Sequence, residues 1–238
     1  FSQKKIFIPL MVIFFVICLM IGERSNLLKV SIMIFLYMMF FVNFSILKKT
    51  LSIIIIFFTI FLVANSSANL KAKYNFIGIF NISENFKNLQ NNKDFMNSII
   101  IGNTHLIHYK IAMNIFNQNP FFGKGFKTYR IESYNEKYFD KNFNFSVGYG
   151  STHPHQLHFE ILSELGIVGY ILILSNLLYV ILRQLREKKD FIQKGSILFL
   201  IATLFPFLPS GSFFTSYVAT IFFINYAFLI RIKNIKNN

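Results

Sequence analysis

Long apolar runs that polar residues hardly interrupt leave this chain few folds to choose from. Residues 6–21, 30–47 and 50–64 follow in quick succession, each near the roughly 17–25 residues that cross a hydrocarbon layer as helix. Residues 157–182 begin amphipathic (HQLHFEILSEL) and turn continuously apolar (GIVGYILILSNLLYVIL), so a helix should start at the membrane surface and run inward. Residues 195–208 and 213–230 form a last pair around PSGS, with Pro206 expected to kink the first of them. Lipid offers backbone groups no water, so apolar runs of this length must satisfy their own hydrogen bonds as helices. The expected fold is therefore all-α, a polytopic membrane helical bundle of about six transmembrane helices with one long external, partly helical loop. Composition agrees: at 54% hydrophobic and 14% charged, the chain has more apolar surface than one soluble core can hide.

The loop is residues 65–156, about ninety residues, far beyond an ordinary connection. It is rich in Ile and aromatics, which segments that stay unfolded lack, so it should be an ordered cap with helices near 83–97 and 103–118. Three regions result: 1–64 with three transmembrane helices, 65–156 as the loop domain, and 157–238 with three more. The start at Phe1 and the poor cleavage site at Gly22-Glu23-Arg24 argue against a signal peptide and for a chain cut from a larger protein. Cys18, the one cysteine, lies in an apolar run and reads as a small packing residue.

A net charge of +14 would suit nucleic acid, but much of it is clustered beside the apolar runs, where it sets topology. Lys4, Lys5, Lys48, Lys49, Arg183, Arg186, Lys188, Lys189, Lys194, Arg231, Lys233 and Lys236 fall in one set of short flanks, against Arg24 and Lys29 in the other. This asymmetry puts both ends in the cytoplasm and the long loop outside. GKG at 123–125 follows Asn-Pro rather than a strand, so it reads as a glycine turn and not as a nucleotide loop.

All five histidines, His105, His108, His153, His155 and His158, lie in the external segment or at its edge. In STHPHQLHFEILSELG, Pro154 suits a first helical turn and Ser151 or Thr152 can cap it, which would leave backbone N–H groups flanked by imidazoles facing an anion. The plainer account is histidines capping an interfacial helix. A zinc site from His153 and His155 with His105 or His108 competes, but no acidic or thiol ligand stands at compact spacing beside them. Arg24 in GERSNLLK can snorkel to headgroups or hold a diphosphate bidentately. Lys124, Lys127 and Arg130 in NPFFGKGFKTYR form either a second basic clamp or a solvated loop over headgroups. Glu160, one turn before Glu164 and beside Gln156, can tune an imidazole.

Three segments in order resemble the O-antigen ligase, or Wzy C-terminal, superfamily: GERSNLL, HYKIAMNIFNQNPFFGKGFKTYR and STHPHQLHFEILSELGIVGY. In the last, His155, Gln156, Phe159 and Gly166 stand where the family has His, then Asn, Ser or Gln, an apolar residue and a Gly. The resemblance implies a metal-independent glycan transferase of the GT-C type that needs no cofactor. It would act on an undecaprenyl-diphosphate-linked glycan at the periplasmic face of the bacterial inner membrane, with a lipid A core or another glycan as acceptor. Catalysis would fall to Arg24, holding the diphosphate, and to His155, activating the acceptor hydroxyl. Where the family carries a second Arg before the middle helix, this chain has His105 four residues before Tyr109, so His105, Lys124 and Arg130 stand as substitutes. His153, Gln156 and Glu160 complete the expected substrate-binding set. A polysaccharide polymerase on the same donor is the nearest alternative, and a non-catalytic membrane transporter or scaffold is the alternative of a different class.

Overall fold

The computed structural model of the chain describes residues 3–22, 24–67, 69–70, 104–139, 150–186, 190–206 and 208–230, with only the backbone at some of these, Arg24 among them. These residues fall into two compact units, Phe1–Phe80 and Asn81–Asn238. Every regular element among the described residues is helical, as the apolar runs require.

In the first unit, α1 (Gln3–Ile21), α2 (Arg24–Phe41) and α3 (Ile46–Ala64) follow one another with short breaks. Gly22, at φ 76°, turns the chain between α1 and α2 in a left-handed conformation that costs glycine little. The second helix thus occupies 24–41 rather than the expected 30–47, and Arg24 opens α2 rather than closing the helix before it. Asn43 and Ser45 lie in the break before α3, as residues whose side chains compete for backbone bonds often do. Leu27, Ile34 and Met38 share one face of α2 and pack with Phe15 and Leu19 of α1 and with Ile56, Ile60 and Val63 of α3. The outer faces remain apolar and exposed, for example at Phe14, Phe57, Phe58 and Phe61. Within α3 the hydroxyls of Thr50, Ser52 and Thr59 donate to the carbonyls four residues back, which is how a polar group is carried through an apolar helix.

The second unit contains α4 (Thr104–Gln118), the short α5 (Tyr129–Glu132), a 3₁₀ turn at Glu136–Tyr138, α6 (Leu157–Leu185), α7 (Phe191–Thr203) and α8 (Ser216–Ile230). The loop helix expected near 103–118 is α4, and the one expected near 83–97 lies outside the described residues. Ile107, Ile111 and Ile115, with Ala112 beside them, make the helical stripe that buries α4 against Tyr129 and Tyr138. Tyr109 stacks on Phe159 of α6 with ring centroids 4.9 Å apart. α7 opens with a reciprocal Asp190–Gln193 capping box. It ends at Leu204, so Pro206 follows the helix instead of kinking it; a ring without an N–H fits there without removing a helical bond.

Two helices, α3 (over Ile46–Val63) and α6, are long and apolar enough to cross a membrane by length and composition; Val12–Ile21, Ser25–Phe41, Phe191–Thr203 and Ser216–Ile230 are shorter apolar helices. This is the build of a helical membrane protein.

Candidate functional site

The segment 150–156 enters α6 through an unusual backbone. His155 lies at φ 58°, a left-handed conformation that costs a residue with a Cβ about 1–2 kcal/mol. Its carbonyl accepts from Ser210 N at 2.8 Å, and the next residue, Gln156, is extended and serves as N-cap, its side chain accepting from Phe159 N at 2.9 Å. The cap is therefore Gln156 and not Ser151 or Thr152, because the left-handed step at His155 delays the helix to Leu157. Pro154 is buried in the turn before it.

That step brings His155 among three other imidazoles. Its ring centroid lies 4.2 Å from that of His153, 5.1 Å from His105 and 5.3 Å from His108, the last two being one turn apart on α4. Ser151 Oγ is 3.3 Å from His155 Nε2, and Ser151 is itself fixed by Ser133, whose Oγ donates to Ser151 O at 2.8 Å and accepts from Ser151 N at 3.1 Å. Thr152 Oγ1 lies 3.0 Å from His153 Nδ1. Half-burial, and then the imidazoles of His153, His105 and His108, push the His155 pKa down from 6.5 to about 4. Burial, with His105 adding to it, lowers His153 as well. At neutral pH the His155 and His153 rings are thus uncharged and able to accept a proton. Among the described residues, no three His, Cys, Asp or Glu side chains are arranged to hold a metal ion.

His158 stands apart from this cluster. Its Nε2 is 3.0 Å from Leu204 O, and its Nδ1 is 3.1 Å from Tyr170 Oη. A carbonyl only accepts, so Nε2 carries the hydrogen and the ring is a pin between α6 and the end of α7.

The carboxylate of Glu160 is buried and accepts from Ser212 Oγ and, at 2.7 Å, from Phe213 N. With Ser210 N on His155 O, it fastens the 208–215 loop across the mouth of α6. Glu164, also buried, accepts from Lys127 N at 2.7 Å and from Tyr129 N at 3.2 Å. Both glutamates thus bind loop backbone.

Just beyond Glu164, α6 is broken at Gly166 (φ 67°, ψ −171°), and the 119–125 turn fills the break. Lys124 N and Gly125 N donate to Ser163 O and Glu164 O at 3.0 and 2.9 Å, while Ile167 N and Val168 N donate to Pro120 O and Phe121 O at 2.8 and 3.1 Å. The carbonyls and amides released by the break are thus matched by one loop. A Cβ on Gly166 would collide with the backbone of Phe121, and one on Gly123 with that of Glu164, so the approach needs glycine on both sides.

The structure therefore brings together His105, His108, His153 and His155; Gln156 follows His155 as the N-cap of α6, and Glu160 lies in the first turn of that helix. Lys124 sits at the other end of the 157–165 segment, roughly 13 Å of helix rise away, and pairs with Glu132 at 3.8 Å. Arg130 lies within α5 and is exposed. The side chain of Arg24 lies outside the described residues. Residues that the sequence did not single out are Ser133, Ser210 and Ser212, which hold the mouth of α6 from other elements. Glycines spaced as NPFFGKG, together with Gly166 where the amphipathic stretch of α6 turns continuously apolar, were the available signal for the joint.

No curated protein and no solved structure matches the chain. A family model described as O-antigen ligase matches residues 9–174. With that match over most of its length, and with the build of a helical membrane protein, the chain belongs to the O-antigen ligase family.

Proposed function

We propose that this membrane protein moves a glycan from an undecaprenyl-diphosphate donor to a lipid A core or similar acceptor at the periplasmic face of the inner membrane. The observation that carries this reading is the cluster of four imidazoles around His155, held in an unfavourable backbone conformation at the mouth of α6. Strained residues that the surrounding structure holds in place gather at functional sites.

In the proposed reaction, His155 takes the proton from the acceptor hydroxyl as that oxygen attacks the anomeric carbon. The bond from that carbon to the diphosphate oxygen breaks, and the lipid diphosphate leaves with the electron pair, giving inversion. A diphosphate is a good leaving group and needs positive charge on its oxygens more than it needs an acid. The family resemblance assigns that charge to Arg24, whose guanidinium suits a diphosphate, and imidazole N–H groups such as those of His105 and His153 can donate to it as well. The low pKa of His155 suits a site that waits empty: the bound anion favours the imidazolium and so raises the basicity of the ring when substrate is present. Charge and position come from side chains throughout, so the scheme requires neither metal nor cofactor.

The test is a purified full-length protein in vesicles with lipid-linked donor and acceptor. Arg24→Ala and His155→Ala should each lower transfer by at least about 10²-fold at unchanged protein content. Transfer that survives both substitutions overturns the reading. Transfer abolished by EDTA and restored by zinc overturns the metal-free scheme.

A further inference from the structure

The joint at Gly166 fixes a depth in the membrane. Beyond it, α6 exposes Ile171, Leu172, Leu178, Tyr179 and Leu182, and residues 167–185 rise about 28 Å at about 1.5 Å per residue, close to the ~30 Å of a hydrocarbon core. Before it lie Glu160 and Glu164, buried against loop backbone. The apolar stretch therefore starts at Gly166, and the break marks the edge of the lipid layer.

The 119–125 turn is bonded into that break on both sides, through Ser163 O and Glu164 O and through Ile167 N and Val168 N, so it shares the same depth. What it presents there is apolar and unshielded: Phe121, Phe122 and Phe126 are 66%, 77% and 58% exposed. Phe126 meets Phe214 of the 208–215 loop edge-on at 4.8 Å, and Lys127 Nζ stands 5.4 Å from the Phe126 ring centroid. Lys127 and Arg130 are both exposed. Three phenylalanines beside two cations, continuous with the lipid-facing side of a span, fit the boundary between acyl chains and headgroup phosphates.

We infer that the 120–127 turn is an interfacial wedge. It inserts Phe121, Phe122 and Phe126 among the acyl chains next to α6 and sets Lys127 and Arg130 at the level of the phosphates. Its occupant is membrane lipid. The backbone bonds on both sides of Gly166 make it a rigid foot that holds α4, α5 and the imidazole cluster at constant height over the bilayer. The inference needs only the membrane character of the chain and is independent of what His155 does.

The sequence contains no tryptophan, so Phe122→Trp provides its own reporter. In the full-length protein reconstituted into phosphatidylcholine and phosphatidylglycerol vesicles, its emission should be blue-shifted. Lipids brominated near the headgroup end of the acyl chain should quench it more than lipids brominated near the chain end. Leu178→Trp, at mid-span, should show the reverse order and controls for correct insertion. Water-like emission that no lipid quenches would put the turn outside the membrane and overturn the inference. Blue-shifted emission that brominated lipid leaves untouched would mean that protein covers the turn, and overturns it equally. Neither readout involves glycan transfer.

Discussion

Residues 157–165 of α6 have unlike ends. At the first, four imidazoles crowd together, His108 buried and the other three partly exposed, and the residue at their centre, His155, sits at φ 58°. At the second, Gly166 is also left-handed, yet there the cost to the backbone is small and the amides and carbonyls of the break are taken up by one loop. Glycine at a left-handed position is what stability alone would select, whereas histidine there asks for a reason in chemistry. The difference separates a part built to hold from the part to which the proposed chemistry is assigned.

The largest effect expected from this contrast is on His155→Gly. Transfer should fall by about 10²–10⁴-fold, the usual contribution of a general base, while the melting temperature stays level or rises because glycine accepts the left-handed conformation. Thermal melting beside the vesicle assay checks both halves. A lower melting temperature with transfer intact would make the ring a structural piece and dissolve the contrast.

Gly166→Val should do the reverse. A side chain there meets the Phe121 backbone and must hold a positive φ, so destabilisation of at least about 2 kcal/mol is expected, read as lower protein content and a lower melting temperature. Whatever protein remains folded should keep its pH dependence. A stable Gly166→Val protein that transfers normally would show that the joint is not needed.

How these parts appear in the sequence follows from the range of the forces that place them. The stripe Ile107, Ile111, Ile115 announces α4, because a helix buries one face at a period the chain displays locally. The continuous apolar runs announced the long helices because backbone groups without water must bond within the segment, and the clustering of histidines pointed to the segments whose imidazoles meet. The joint was hidden, since a glycine inside an apolar helical pattern reads as an ordinary helical residue and its partner loop lies about forty residues earlier. The partners of Glu160 and Glu164 were hidden in the same way, because their oxygens meet Ser212, Phe213, Lys127 and Tyr129, which only the folded chain brings near.

A smaller effect should appear on acidification. Folding lowers the His155 pKa to about 4 from 6.5, so between these values the unfolded chain binds more protons than the folded one. Stability therefore falls as pH drops from about 6.5 toward about 4, and below that the loss is complete. His155→Gln should flatten part of this slope. In kinetics, the acid limb of kcat should lie at higher pH than that of kcat/KM, because the bound anion favours the imidazolium. Coincident limbs would remove the proposed anion from the neighbourhood of the ring.

The smallest expected effect belongs to His158, which shares the helix with His155 and lies three residues on. Both of its nitrogens have a partner, Leu204 O and Tyr170 Oη, and the carbonyl forces the hydrogen onto Nε2, leaving Nδ1 to accept from the phenol. A ring so fixed can pass on no proton without breaking a bond between α6 and α7. Tyr170→Phe removes one of the two bonds, so stability should fall by about 0.5–1.5 kcal/mol while the transfer rate per folded molecule stays unchanged. If instead the rate drops and melting does not, His158 joins the reactive set, and the division between holding and reacting residues runs further down α6 than its first turn.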